Sequence, residues 1–314
     1  MLILWVLGLL VACTKAEDPA VQLLDAPEEI LLSAAIGVET RAIVTNATAG
    51  LQFNFARIDQ NTDGSYPADY SGSQALPVTR TTGDAGNAAT EIAFTTKQYY
   101  LTRTTNNNTK LIGWYPQQPL SADNITFTID GDTDIMLSNE LTGNKTDKFG
   151  TDTRIFAFTH LLTQIQVKAY ANDHTVYGKI LSIALKDQNT KCLITLPGTS
   201  SGDIDFNTPT ATFPIIEKRI NGTAIDYSSG VVLPNVAANA IECGYAMIAP
   251  RGSADQLTLV IETENDGSKE VTLPAMDLEA GKAYIVTLKF THIGVTFMVN
   301  VTDWVDVEID CELS

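Results

Sequence analysis

The chain has 314 residues, 44% of them hydrophobic and only 18% charged, with a formal net charge of −17. That length suits about two domains at ~100–200 residues each, and the acidic balance excludes general nucleic-acid binding, which needs a basic footprint, and electrostatic docking on anionic lipid. A charge-poor chain rich in Thr, Asn and Ser fits β-sandwiches with uncharged polar faces better than helical bundles built from Glu, Lys and Ala.

Residues 1–12, MLILWVLGLLVA, form an uncharged apolar run, and Cys13 follows directly. The run is too short for a bilayer, which takes about 20 apolar residues, but it has the length of a signal-peptide core. Leu10-Val11-Ala12-Cys13 resembles the lipobox of bacterial lipoproteins. That resemblance implies cleavage before Cys13 and acylation of its thiol and new amine. Several acyl chains, at roughly 0.8 kcal/mol per buried methylene, hold a protein on a membrane. Residues 14–18, TKAED, resemble the export signal of lipoproteins displayed on the outer leaflet of the outer membrane. Residues 19–29 read as a flexible tether.

Apolar and polar positions alternate over 37–46, which predicts a first strand, and Leu51, Phe53 and Phe55 line one face of a second. Residues 60–65, with Asp63-Gly64, signal a turn, and the Thr- and Gly-rich stretch 76–87 predicts a loop. Further strands are predicted at 92–94, 98–101, 111–115 and 125–129. Short strands between turn signals, with no apolar period of 3.6 residues, indicate an antiparallel sandwich. Asp130-Gly131-Asp132-Thr133-Asp134 begins like a calcium loop. Ile135 and Leu141 then stand where such a loop needs Gly and Glu, so a solvated acidic turn is expected.

At mid-chain, residues 155–170 read IFAFTHLLTQIQVKAY. Phe156, Phe158 and His160 share one parity; Ile165, Val167 and Ala169 share the other. A strand alternates faces residue by residue, so a change of parity flips the buried face. A bulge or bend at 159–163 is predicted to carry the chain from one sheet into another. The expected division is a signal at 1–12, a lipidated tether at 13–30, an N-terminal β-sandwich domain at 31–154 and a C-terminal one at 155–314.

In the second half, 180–185 and 192–196 read as a hairpin around Asp187-Gln188-Asn189-Thr190. Strands follow at 230–233, 244–249, 257–263 and 269–273, the last two joined by a turn at 264–267. A turn at 278–282 feeds a strand at 284–291, which 294–301 pairs with. Beyond Trp304, Val305, Val307 and Ile309 alternate with Asp306, Glu308 and Asp310, a strand with one apolar and one acidic side. If Cys13 carries lipid, Cys192, Cys243 and Cys311 allow at most one disulfide, in any of three pairings. No CxxC spacing occurs and the three His are scattered, so neither zinc nor another metal is expected.

Three passages carry a family resemblance: Thr40-Arg41-Ala42, Phe158-Thr159-His160-Leu161-Leu162 with its following strand, and Ala280-Gly281-Lys282-Ala283-Tyr284 ending in Asp303-Trp304. With the lipobox and two β-halves, the chain resembles the fimbrillins, the type V pilins of Gram-negative gut and oral anaerobes. The resemblance implies two transthyretin-like antiparallel β-sandwich domains in tandem and export as an outer-membrane lipoprotein. It implies that an Arg-directed protease removes the first strand, and that a strand from the next subunit fills the opened groove. Arg41-Ala42 matches the cleavage pattern, with Arg57, Arg80, Arg103 and Arg154 as competing basic sites. Val305, Val307 and Ile309 are candidate donor-strand residues; a tail that pairs within its own domain would instead cap a filament. Under this reading the partners are other fimbrial subunits, the maturation protease, the outer membrane through lipid on Cys13, and a host protein or glycan.

A surface glycan-binding lipoprotein is the alternative. It calls for a platform of exposed aromatics, whereas Trp5 lies in the leader and Trp114 and Trp304 lie in strand-like runs. An enzyme is not expected: G-x-S-x-G, H-E-x-x-H and a Gly-rich phosphate loop are all absent. No catalytic residue and no cofactor is assigned.

Overall fold

The computed structural model describes residues 27–36, 44–85, 88–102, 107–151, 153–198 and 201–303. Cys13, Arg41, Ala42, Val305, Val307 and Ile309, and with them the lipid, cleavage and donor-strand assignments, lie outside the described residues. Among the described residues the fold is nearly all β, with one helical turn, α1 (His174–Tyr177), and a short 3-10 turn at Ala237–Asn239.

The first sheet holds β1 (Leu32–Ile36), β2 (Leu51–Asp59), β3 (Leu76–Arg80), β4 (Thr90–Phe94), β5 (Thr109–Tyr115), β7 (Met136–Ser138), β8 (Leu141–Gly143) and β9 (Phe156–His160). Its order is β2-β3-β4-β1-β9-β7-β5-β8, and β2 also pairs with β5. The ladder therefore closes on itself, which satisfies the backbone groups that an open sheet leaves at its edges. Inside the ring Phe53 meets Phe158 at 4.7 Å and Phe55 meets Phe156 edge-on at 4.9 Å. Leu32, Ala34, Ile36, Val78 and Ile92 complete this core.

Two further sheets share a second core. One is β13-β10-β16-β17, made of β10 (Thr163–Ala171), β13 (Ile241–Ile248), β16 (Lys282–Thr291) and β17 (Gly294–Asp303). The other is β12-β11-β14-β15, made of β11 (Ile180–Thr195), β12 (Asp203–Pro214), β14 (Thr258–Thr263) and β15 (Gly267–Thr272). Strand β6 (Asn124–Thr128) joins the latter sheet against β11, from Asn124 opposite Thr195 to Thr128 opposite Lys191.

The parity flip at mid-chain is present. Phe156, Phe158 and His160 are buried in the first sheet; Ile165, Val167 and Ala169 are buried in the second core. The chain changes sheets at Leu161-Leu162, so β9 pairs in the first sheet while β10 lies in the second. Asp130-to-Asp134 is only partly the expected solvated turn, because Asp134 is buried.

Several expected elements differ. The stretch 76–87 was expected as loop, but its first five residues form β3, which seats Val78 and Arg80 at 0% exposure. Residues 180–196 are not a hairpin: β11 runs unbroken through Asp187, whose φ of 57° and adjoining register shifts make a bulge where a reversal was expected. The segments 98–101 and 230–233 contribute single bridges, Tyr99 to Glu29 and Val231 to Ile180, in place of strands. The all-antiparallel expectation also fails twice, because β1 runs parallel to β9 and β10 runs parallel to β16. Both pairs are separated by more than 100 residues, which leaves ample chain for a crossover.

Candidate functional site

The sequence reading passes over β1, although Ile30, Leu32, Ala34 and Ile36 keep one parity. All four are buried in the ring core, while Leu31 points out at 59% exposure. The backbone of β1 is held on both sides. It pairs antiparallel with β4, Leu32 opposite Ile92, and parallel with β9, Ile36 opposite Phe158. Upstream, the Ile30 N–H donates to Gln98 O at 2.8 Å and the Tyr100 N–H donates to Glu28 O at 2.9 Å. Glu29 pairs with Lys97 at 2.6 Å, and Glu28 with Lys148. Gly150 lets the chain pass closely: its φ is +75°, and a Cβ there would sit 2.9 Å from Leu31 O.

The downstream end of β1 is clamped by Asn46. The Ile36 N–H donates to Asn46 Oδ1 at 3.2 Å, and Arg80 Nη2 donates to both Asn46 O and Asn46 Oδ1 at 2.8 Å. Burying Ile30, Leu32 and Ile36 is worth about 1.5–3 kcal/mol each. A strand held by two ladders and a core in this way leaves an apolar groove if it is withdrawn.

Three of the competing arginines are tied into structure. Arg57 lies inside β2, with Nε donating to Asp59 at 3.0 Å and Nη2 to Tyr99 O at 2.9 Å. Arg80 is fully buried, and Arg154 is paired with Asp147. Arg103 lies outside the described residues.

Near the end of β9 a cavity of about 550 Å³ is lined by Val44, Tyr115, Asp132, Asp134, Lys218 and Tyr245, among others. Asp130 folds the neighbouring turn by accepting from the Asp132 and Thr133 N–H groups. Tyr245 donates to Asp132 Oδ1 at 2.6 Å, and burial, followed by that bond, pushes its phenol up. Asp134 lies at 2% exposure, its Oδ2 2.5 Å from His160 Nδ1. Its Oδ1 has no hydrogen-bond partner among the described residues. His160, at the end of β9, is this buried partner.

Cys192 and Cys243 are buried free thiols. Burial pushes both up to about 12, so neither offers a reactive thiolate. Among the described residues no group of three His, Cys, Asp or Glu could hold a metal ion, and no helix is long and apolar enough to cross a membrane.

A fimbrillin-like family model matches residues 40–304, and the chain belongs to that family. A candidate cell adhesion protein of Bacteroides uniformis shares the fold at TM-score 0.57 and 17% identity, over 88% of this chain and 98% of its own. A second, from Bacteroides ovatus, gives TM-score 0.57 and 15% identity, over 90% of this chain and 100% of its own. A third, from Parabacteroides distasonis, gives TM-score 0.50 and 10% identity, over 91% and 99%. No curated protein sequence matches.

Proposed function

We propose that the chain is a structural or adhesive fimbrial subunit, exported as an outer-membrane lipoprotein on Cys13 and assembled by donor-strand exchange after a cut between Arg41 and Ala42. The observation that carries this reading is the position of β1. It is an interior strand of a closed ring, it lies N-terminal to Arg41, and its apolar residues occupy a continuous core track. Releasing it frees donors and acceptors on β4 and β9 beside Ile92, Phe156 and Phe158. An incoming strand satisfies both needs, which is β-augmentation. Groove and donor lie on different parts of each subunit, so the contact is heterologous and propagates.

The donor is the tail carrying Val305, Val307 and Ile309, which continues from the end of β17, the outermost strand of its sheet. The tandem transthyretin-like organisation, with domains at 31–154 and 155–314, belongs to the same reading. Its partners are other subunits, an Arg-directed protease, and a host protein or glycan.

The test is the N-terminal sequence of protein sheared from its native surface, with gel mobility before and after boiling. A start at Ala42 with a heat-sensitive ladder is expected. A blocked start at Cys13 with only a monomer band would refute processing and polymerisation.

A further inference from the structure

The cavity near the end of β9 stands between two walls that share one support. One wall is the hairpin 216–225, in which Lys218 bridges Ala224 and the Ile225 N–H donates to Glu217 O at 2.8 Å. Its tip turns where the Gly222 N–H donates to Arg219 O at 2.8 Å, and Gly222 takes the φ of 83° that this turn needs. The other wall is the turn at 130–134. The Ile216 N–H donates to Tyr245 O and the Met247 N–H to Gly131 O, both at 2.7 Å, so β13 anchors both walls. A site built before its ligand arrives loses little freedom on binding. The volume of about 550 Å³ falls in the ~300–1,000 Å³ span of small-molecule sites.

The side chains that line it are unevenly spent. Tyr245 donates to Asp132 Oδ1 at 2.6 Å and Thr133 Oγ1 to Asp130 Oδ2 at 2.7 Å, so both hydroxyls are used. Asp134 offers a ligand nothing, because Oδ2 faces His160 at 2.5 Å and Oδ1 is sealed from solvent. Arg219 is exposed, and its guanidinium has no partner among the described residues. Lys218 Nζ stands 4.0 Å from Asp132 Oδ2, beyond hydrogen-bond reach. The Tyr115 hydroxyl and Asn221 Nδ2 also have no partner among the described residues; Asn221 uses only Oδ1, which accepts from the Thr223 N–H at 3.0 Å. What remains is the cations Lys218 and Arg219, the neutral donors Tyr115 and Asn221, and a carboxylate oxygen, Asp132 Oδ2. On a chain of net charge −17, adjacent cations at a cavity reverse the sign locally.

We propose that this cavity binds a terminal acidic sugar of a glycan, its carboxylate held by Arg219 and Lys218 and a hydroxyl held by Asp132 Oδ2. Guanidinium and ammonium donors match a carboxylate, and such charge-assisted bonds are the stronger ones. Asp132 Oδ2 matches a sugar hydroxyl, which donates. An acidic peptide side chain brings the carboxylate without the hydroxyls, and a neutral sugar leaves both cations unmatched. Tyr115, Tyr245 and Ile220 add apolar surface on which the C–H groups of a sugar ring pack. The inference rests on the adhesive side of the reading above and names the chemistry of the glycan. It needs neither cleavage nor polymerisation.

The test uses the full-length, uncut protein. Calorimetry and saturation-transfer NMR are run with the methyl glycosides of N-acetylneuraminic acid and glucuronic acid. Methyl galactoside is the neutral control and an acidic tripeptide the other. At least one acidic sugar should bind about tenfold more tightly than either control. Lys218→Ala and Arg219→Ala should each weaken that binding about tenfold, the loss of one charge-assisted hydrogen bond. Both residues are exposed, so the urea unfolding midpoint of each variant should stay where it is. No binding of either acidic sugar, equal binding of the neutral sugar or the peptide, or undiminished binding when both cations are replaced overturns the proposal. The native N-terminal sequence reads maturation separately, so a processed, polymerised protein that binds no acidic sugar refutes this inference alone.

Discussion

His160 Nδ1 lies 2.5 Å from Asp134 Oδ2, both side chains sealed from solvent where the chain leaves the first sheet. Removing one partner of such a pair leaves the other buried and uncompensated. His160→Ala should therefore destabilise the protein by roughly 3–5 kcal/mol, read from the midpoint of urea unfolding. Asp134→Asn keeps a polar group beside the imidazole and should cost less.

Ala34 is fully buried where β1 crosses between β4 and β9. Ala34→Leu adds three carbons to a filled ring and should destabilise the uncut protein by about 1–3 kcal/mol. After cleavage and release of β1 the same change should have no effect on stability. Denaturation of cut and uncut protein side by side checks this; an equal loss in both would mean that β1 stays in place.

Gly150→Ala should loosen the N-terminal segment specifically. The new Cβ meets Leu31 O at 2.9 Å, and the positive φ is strained for alanine. A loss of roughly 1–3 kcal/mol is expected, with faster amide exchange at Ile30 and along β1 than elsewhere.

The two buried thiols make a pH prediction. In the unfolded chain each ionises near ~8.5, while burial holds Cys192 and Cys243 protonated up to about 12. The unfolded state therefore loses protons first as pH rises. Stability should fall between those values by up to about 1.4 kcal/mol per pH unit per thiol. A maleimide at pH 8 should leave both unlabelled in the native protein and label both in urea.

Much of this was legible in the sequence wherever burial has a period. The parity switch between Phe158 and Ile165 marks the change of sheet, and the hairpin of β16 and β17 follows from its alternation and the turn at Gly294. What failed had a physical cause. Asp187-Gln188-Asn189-Thr190 carries turn chemistry, yet one residue at positive φ makes a bulge, and Gln188 is buried and accepts from Arg251. β12 is exposed along most of its length and offers no apolar period. β3 hides because its two fully buried residues are Val78 and an arginine whose guanidinium donates to Thr90 and Asn46. β1 was overlooked because Leu31 interrupts the pattern, and the groove it would leave depends on partners about 60 and 120 residues away.

The pairing of β6 with β11 has a consequence for how the chain can be divided. Ile125 and Phe127 are spoken for by residues 191–195, well past the midpoint. A fragment ending at 154 would expose both side chains and an unpaired strand, and a fragment beginning at 155 would lack a strand of its sheet. The two halves are thus interlocked, each holding a part the other needs. The earlier half can complete its folding only once the chain through Thr195 is available, so the two halves commit to structure as one piece.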